Sequence, residues 1–86
     1  MLLIIFSNLT QTSSFKKLAA KRGIGGVRII QTPQALSGEG CSYAVRAKYE
    51  NRDMLFRLMD ENGSYPLHVY RVNFLTKGKL TYTKIK

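Results

Sequence analysis

Leu2-Leu3-Ile4-Ile5-Phe6 is the stretch on which the fold turns. Five consecutive apolar residues, with no polar residue to mark a wet face, suit a strand covered on both sides in the middle of a sheet. The hydroxyl-rich segment Ser7–Ser14 follows, with Thr10 or Thr12 as the expected helix N-cap. Phe15, Leu18 and Ala19 then recur at helical spacing, while Lys16, Lys17 and Lys21 fall on the other side. Gly23 ends this helix, and the later glycines of Gly23–Gly26 make a tight turn. These glycines come after a helix and before a strand, the reverse of the order a phosphate cradle requires.

Further along, Val27–Gln31 reads as a second strand closed by Pro33. A loop over Thr32–Gly40 has room for one helical turn at Gln34–Leu36. Cys41–Tyr49 alternates, with Cys41, Tyr43, Val45, Ala47 and Tyr49 on one face and Ser42, Ala44, Arg46 and Lys48 on the other. Asn51 is the expected cap of a second helix, with Met54, Leu55, Leu58 and Met59 as its apolar stripe and Asn62-Gly63 as its stop. Leu67–Phe74 reads as a fourth strand, and Leu80–Ile85 as a hairpin partner or a frayed tail. The order β-α-β-β-α-β predicts an α+β ferredoxin-like split βαβ fold, an antiparallel sheet with two helices on one face and room for an extra C-terminal strand. Right-handed crossovers put the first and third strands in the centre. The expected division is a single domain over residues 1–75 and a basic hairpin strand or tail over 76–86.

With 86 residues there is one core, burying about 60–65% of the unfolded surface. No apolar run approaches the ~20 residues of a membrane span, and no signal peptide is recognisable. A single Cys forms no internal disulfide, and one His with one Cys does not make a zinc site, so a reducing, cytoplasmic compartment is expected. No cofactor or metal is expected either. His68 has no partner in sequence, and no set of nucleophile, base and orienting group is found. With no catalytic constellation, a binding protein is expected rather than a turnover enzyme.

Charge is the strongest compositional signal: 14 Lys and Arg against 5 Asp and Glu give +9. Lys16, Lys17, Lys21, Arg22 and Arg28 load the first third without any acid, and Arg71, Lys77, Lys79, Lys84 and Lys86 load the last. Such a field attracts anions, whether nucleic acid, phosphorylated ligand or acidic protein. Tyr43, Tyr49, Tyr70 and Arg71 put aromatics among the basic residues of the third and fourth strands, but the basic-aromatic RNA-recognition consensus is absent from Cys41–Tyr49. Cys41 has two readings. In phase with Tyr43 and Val45 it is a small buried residue; after Ser37-Gly38-Glu39-Gly40 it is a thiol at the mouth of a loop, reachable by a partner.

The stretch Ile29–Arg46, I-I-Q-T-P-Q-A-L-S-G-E-G-C-S-Y-A-V-R, resembles the small domain-of-unknown-function family of putative selenium/sulfur carrier proteins. Pro33, Leu36, Ser37, Cys41 and Arg46 match its pattern, within a frame covering about residues 1–73. Gln34 stands where that family has Arg after the Pro, Ser42 where it has Gly after the Cys, and basic residues replace the acid of the first helix. The resemblance implies that Cys41 holds a persulfide or perselenide, taken from a cysteine desulfurase or another sulfur or selenium donor and passed to an acceptor protein. It further implies that Arg28 and Arg46 hold the thiolate or an anionic donor, while Ser37 and Gly40 shape the loop. The alternative is a small basic module that binds RNA or an acidic protein, with Cys41 structural. In a third reading the edge of a fifth strand pairs with a second copy as a homodimer.

Overall fold

The computed structural model describes residues 1–36, 38, 42–74 and 78–85. Five strands and two helices form an α+β domain: β1 (Leu2–Ile5), α1 (Leu9–Lys21), β2 (Arg28–Gln31), β3 (Tyr43–Ala47), α2 (Arg52–Asn62), β4 (His68–Phe74) and β5 (Leu80–Lys84). The sheet order is β2-β3-β1-β4-β5 with every neighbouring pair antiparallel, consistent with the ferredoxin-like arrangement. A 3₁₀ turn, Gln34–Leu36, stands where a helical turn is expected, and β5 pairs with β4 as the extra strand.

All four residues of β1 are buried. Leu2 and Ile4 join Phe6, Phe15, Val45, Leu55, Leu58 and Val69 in the core beneath the helices. Leu3 and Ile5 point the other way and pack with Ala44, Tyr70, Val72 and Leu36 of the 3₁₀ turn. Neither α1 nor α2 covers that second face; Leu36 and the large side chains of β4 do, which is why β1 carries no polar residue. Each such burial contributes about 1.5–3 kcal/mol. Phe6 and Phe15 lie with ring centroids 5.2 Å apart at 43°, tying the end of β1 to α1.

The cap of α1 differs from expectation. Asn8, not Thr10 or Thr12, is the N-cap, its side-chain oxygen accepting from the Gln11 N–H at 2.9 Å. Gln11 Oε1 reaches back to accept from the Ser7 N–H at 3.2 Å, so Asn8-Leu9-Thr10-Gln11 works as a capping box displaced by one residue. Thr12 is fully buried and its hydroxyl donates to the Asn8 carbonyl at 2.9 Å, which frees it from any capping role. At the other end the Gly23 N–H donates to the Ala20 carbonyl and the Ile24 N–H to the Ala19 carbonyl, both at 3.0 Å. With Gly23 at φ +73° and Ile24 buried, this is a Schellman motif.

In α2, Asn51 sits at the N-cap position without a side-chain cap bond; its amide donates to the Gly25 carbonyl at 3.4 Å instead. A 3₁₀ turn, Tyr49–Asn51, leads into the helix and supplies its entry. Leu55, Leu58 and Met59 form the buried stripe, whereas Met54 is half exposed and Phe56 packs in part against the core. Gly63, at φ +60°, stops the helix as expected. The Arg22–Glu61 ion pair links the helix ends but is solvent-exposed, so its contribution is about 1 kcal/mol or less.

Truncating Phe15 to Ala lowers stability by about 3–5 kcal/mol, whereas Met54→Ala stays within about 0.5 kcal/mol of the parent. Urea denaturation followed by circular dichroism separates the two; equal losses would contradict the packing described.

Candidate functional site

Arg28, Arg46, Lys48 and Arg71 come together at one end of the sheet, where β1 and β2 begin and β3 ends. Arg28 and Arg46 are directly opposed in the β2–β3 ladder, so both side chains leave the sheet on the face without helices. The alternation of β3 explains Arg46: Val45 and Ala47 are buried under the helices, and Arg46 must point away from them. A cavity of about 530 Å³ opens here, lined by Met1, Arg28, Arg46, Lys48, Tyr49 and Glu50 among others. The Arg46 Nε–H donates to Met1 Sδ at 3.0 Å, laying the guanidinium across the start of β1.

Gly26 also borders the cavity. It adopts φ +75°, and a Cβ there would stand 3.0 Å from Cε of Lys48. The missing side chain therefore lets the Lys48 stem lie flat across the α1–β2 turn. Next to the cavity, the guanidiniums of Arg71 and Arg52 lie 4.2 and 4.5 Å from the centroid of the Tyr49 ring. Each cation–π contact of this kind is worth about 0.5–1 kcal/mol at an exposed site.

The electrostatics agree with this clustering. The Met1 amino group has its pKa lowered, first by burial and then by the positive charges of Arg71 and Arg46. Among the described residues Arg28, Arg46 and Lys48 have no carboxylate within ion-pair distance. Also among the described residues, no three His, Cys, Asp or Glu side chains gather as metal ligands.

Of the residues singled out from sequence, Arg28 and Arg46 are brought side by side. Cys41, Ser37 and Gly40 lie outside the described residues. Ser42, the neighbour of Cys41 in the chain, accepts from the Thr32 N–H at 2.8 Å and so sits at the opposite end of the β2–β3 ladder from Arg46. Ser42 and Arg46 are four residue steps apart along the strand, about 13 Å. Lys48, Tyr49, Glu50 and Gly26 were missed as cavity residues. The spacing of Arg46 and Lys48, two apart on one face of an alternating strand, is the signal that points to them.

The family described as "Putative Se/S carrier protein-like" matches the chain over residues 1–71. The chain belongs to that family. No curated protein and no solved structure matches it. The match ends within β4, so β5 lies outside the matched span. No helix among the described residues is long and apolar enough to cross a membrane.

Two outcomes follow. Gly26→Ala costs about 1–2 kcal/mol of stability through its left-handed backbone, while Gly25→Ala, with open space around it and an ordinary φ, does not. Denaturant titration of both variants checks this. Replacing Arg71 or Arg46 with Gln raises the Met1 amino pKa toward its ordinary value, measurable by NMR titration of the terminal amine; an unmoved value would mean that burial alone sets it.

Proposed function

We propose that the protein is a sulfur or selenium carrier that holds a persulfide or perselenide on Cys41. Membership of the Se/S carrier-like family over residues 1–71 carries this reading. Cys41 is the chain's single cysteine, so the chemistry rests on one thiol with no resolving partner in the same chain. Loading needs no redox partner. The Cys41 thiolate attacks the terminal sulfur of a donor enzyme's persulfide, a new S–S bond forms, the donor's S–S bond breaks and the donor cysteine leaves as its thiolate. Delivery is the same exchange run onto an acceptor thiolate. Selenium follows the same path, with a perselenide in place of the persulfide.

Ser37 and Gly40 precede Cys41 in the chain, and in this reading they keep it open to a partner. Arg28 and Arg46 contribute a positive field that draws an anionic donor.

Incubation with a cysteine desulfurase and free cysteine, without reductant, is expected to add one sulfur atom to the intact mass. The adduct disappears in Cys41→Ser and is reversed by excess thiol. If no persulfide donor loads the protein and a small thiol reagent also fails to modify Cys41 in the folded state, the carrier reading falls.

A further inference from the structure

The cavity at the start of β1 poses a problem that the carrier chemistry does not answer. Like charges directly opposite in an antiparallel pair are destabilising, and Arg28 faces Arg46 in that way. Lys48 stands two residues beyond Arg46, its stem in the space that a side chain at Gly26 would crowd. One carboxylate, Glu50, lines the cavity against these three cations. Two adjacent guanidiniums are the arrangement that a tetrahedral oxyanion satisfies, because each planar fork donates two parallel hydrogen bonds to oxygens.

We infer that this cavity binds a small phosphate-bearing ligand, with Arg28 and Arg46 gripping the phosphate oxygens and Lys48 supplying a third positive charge. At about 530 Å³ it lies in the usual range for small-molecule sites. A concave site of this size fits a phosphate or diphosphate group with a modest body attached. The nearest aromatic, Tyr49, already carries the guanidiniums of Arg52 and Arg71, so it is a poor platform for stacking a nucleic-acid base. The positive field at the Met1 amine agrees with the same clustering. The inference stands whether or not Cys41 carries sulfur.

The test is titration of the full chain with inorganic pyrophosphate at about 0.15 M salt, where the Debye length is about 8 Å, followed by calorimetry and by amide NMR shifts. Saturable binding is expected, with the largest shifts at residues 26–28 and 46–50. Arg28→Gln and Arg46→Gln each weaken it about tenfold or more, the effect of losing a charge-assisted hydrogen-bond pair. Arg46→Lys keeps part of the affinity, and Glu50→Gln tightens binding by removing the opposing charge. Lys17→Gln, on α1, changes affinity by less than about twofold because exposed charges beyond a Debye length are screened. Cys41→Ser binds as the parent does, which separates this result from that of the carrier reading. Thermal melts of Arg28→Gln and Arg46→Gln are expected at or above the parent's, since the substitution relieves the like-charge contact.

Absence of saturable binding overturns the inference. So does an equal loss in Lys17→Gln, which would reduce the effect to net charge. A short single-stranded oligonucleotide without terminal phosphates that displaces pyrophosphate at a lower phosphate concentration also overturns it, in favour of a nucleic-acid surface.

Discussion

Burial of β1 on both faces is the constraint on which everything else depends. Leu2 and Ile4 need a layer on one side, and the two helices supply it. Leu3 and Ile5 need cover on the other side, and Leu36, Tyr70 and Val72 supply that. A strand with two apolar faces cannot sit at a sheet edge without exposing one of them, so β3 and β4 must flank it. That placement brings the ends of β2 and β3 beside the start of β1, where the cationic cavity lies. The site is thus a product of where the most apolar strand had to go.

The layer order and the strands were legible because their signals are local and strong. Leu2–Phe6 is continuous, Cys41–Tyr49 alternates, and Gly23 and Gly63 stop two helices by chemistry that needs no tertiary context. The misreadings share a cause. Thr10 and Thr12 compete with Asn8 for the cap on composition alone, and the choice falls to Asn8 only once Thr12 is buried on the inner face of α1 and its hydroxyl is bonded to the Asn8 carbonyl. Asn51 has the right type for a cap, but the turn from α1 to β2 puts the Gly25 carbonyl within its reach. Met54 falls in the stripe at ideal helical spacing, yet α2 is entered through a 3₁₀ turn and the Met54 side chain stands half exposed. Half of the candidate site was legible in the same sense. Arg28 and Arg46 were identified as charges, but their direct opposition depends on the β2–β3 register, which no single residue reveals.

The opposed arginines persist because their cost is small where they stand. Both are exposed, and in water two unit charges about 4 Å apart interact by about 1 kcal/mol. The same pair under the helices, in a lower dielectric, would be several times worse. The face without helices is therefore where this fold can hold adjacent cations.

Register then makes the arrangement durable. β3 is hydrogen-bonded on both sides, to β2 and to β1, so it cannot shift without breaking two ladders. A one-residue slip would also exchange the faces of Val45 and Arg46. It would carry a guanidinium into the apolar core beneath the helices, where an unpaired charge costs several kcal/mol, and bring Val45 out to solvent. The slipped state thus loses more than the relief of the Arg28–Arg46 repulsion returns. The packing of Val45 and Ala47 under the helices holds Arg46 opposite Arg28 at one end of β3. The same packing holds Ser42 opposite Thr32 at the other end, so one short strand fixes the spacing between the cationic cavity and the segment that leads to Cys41.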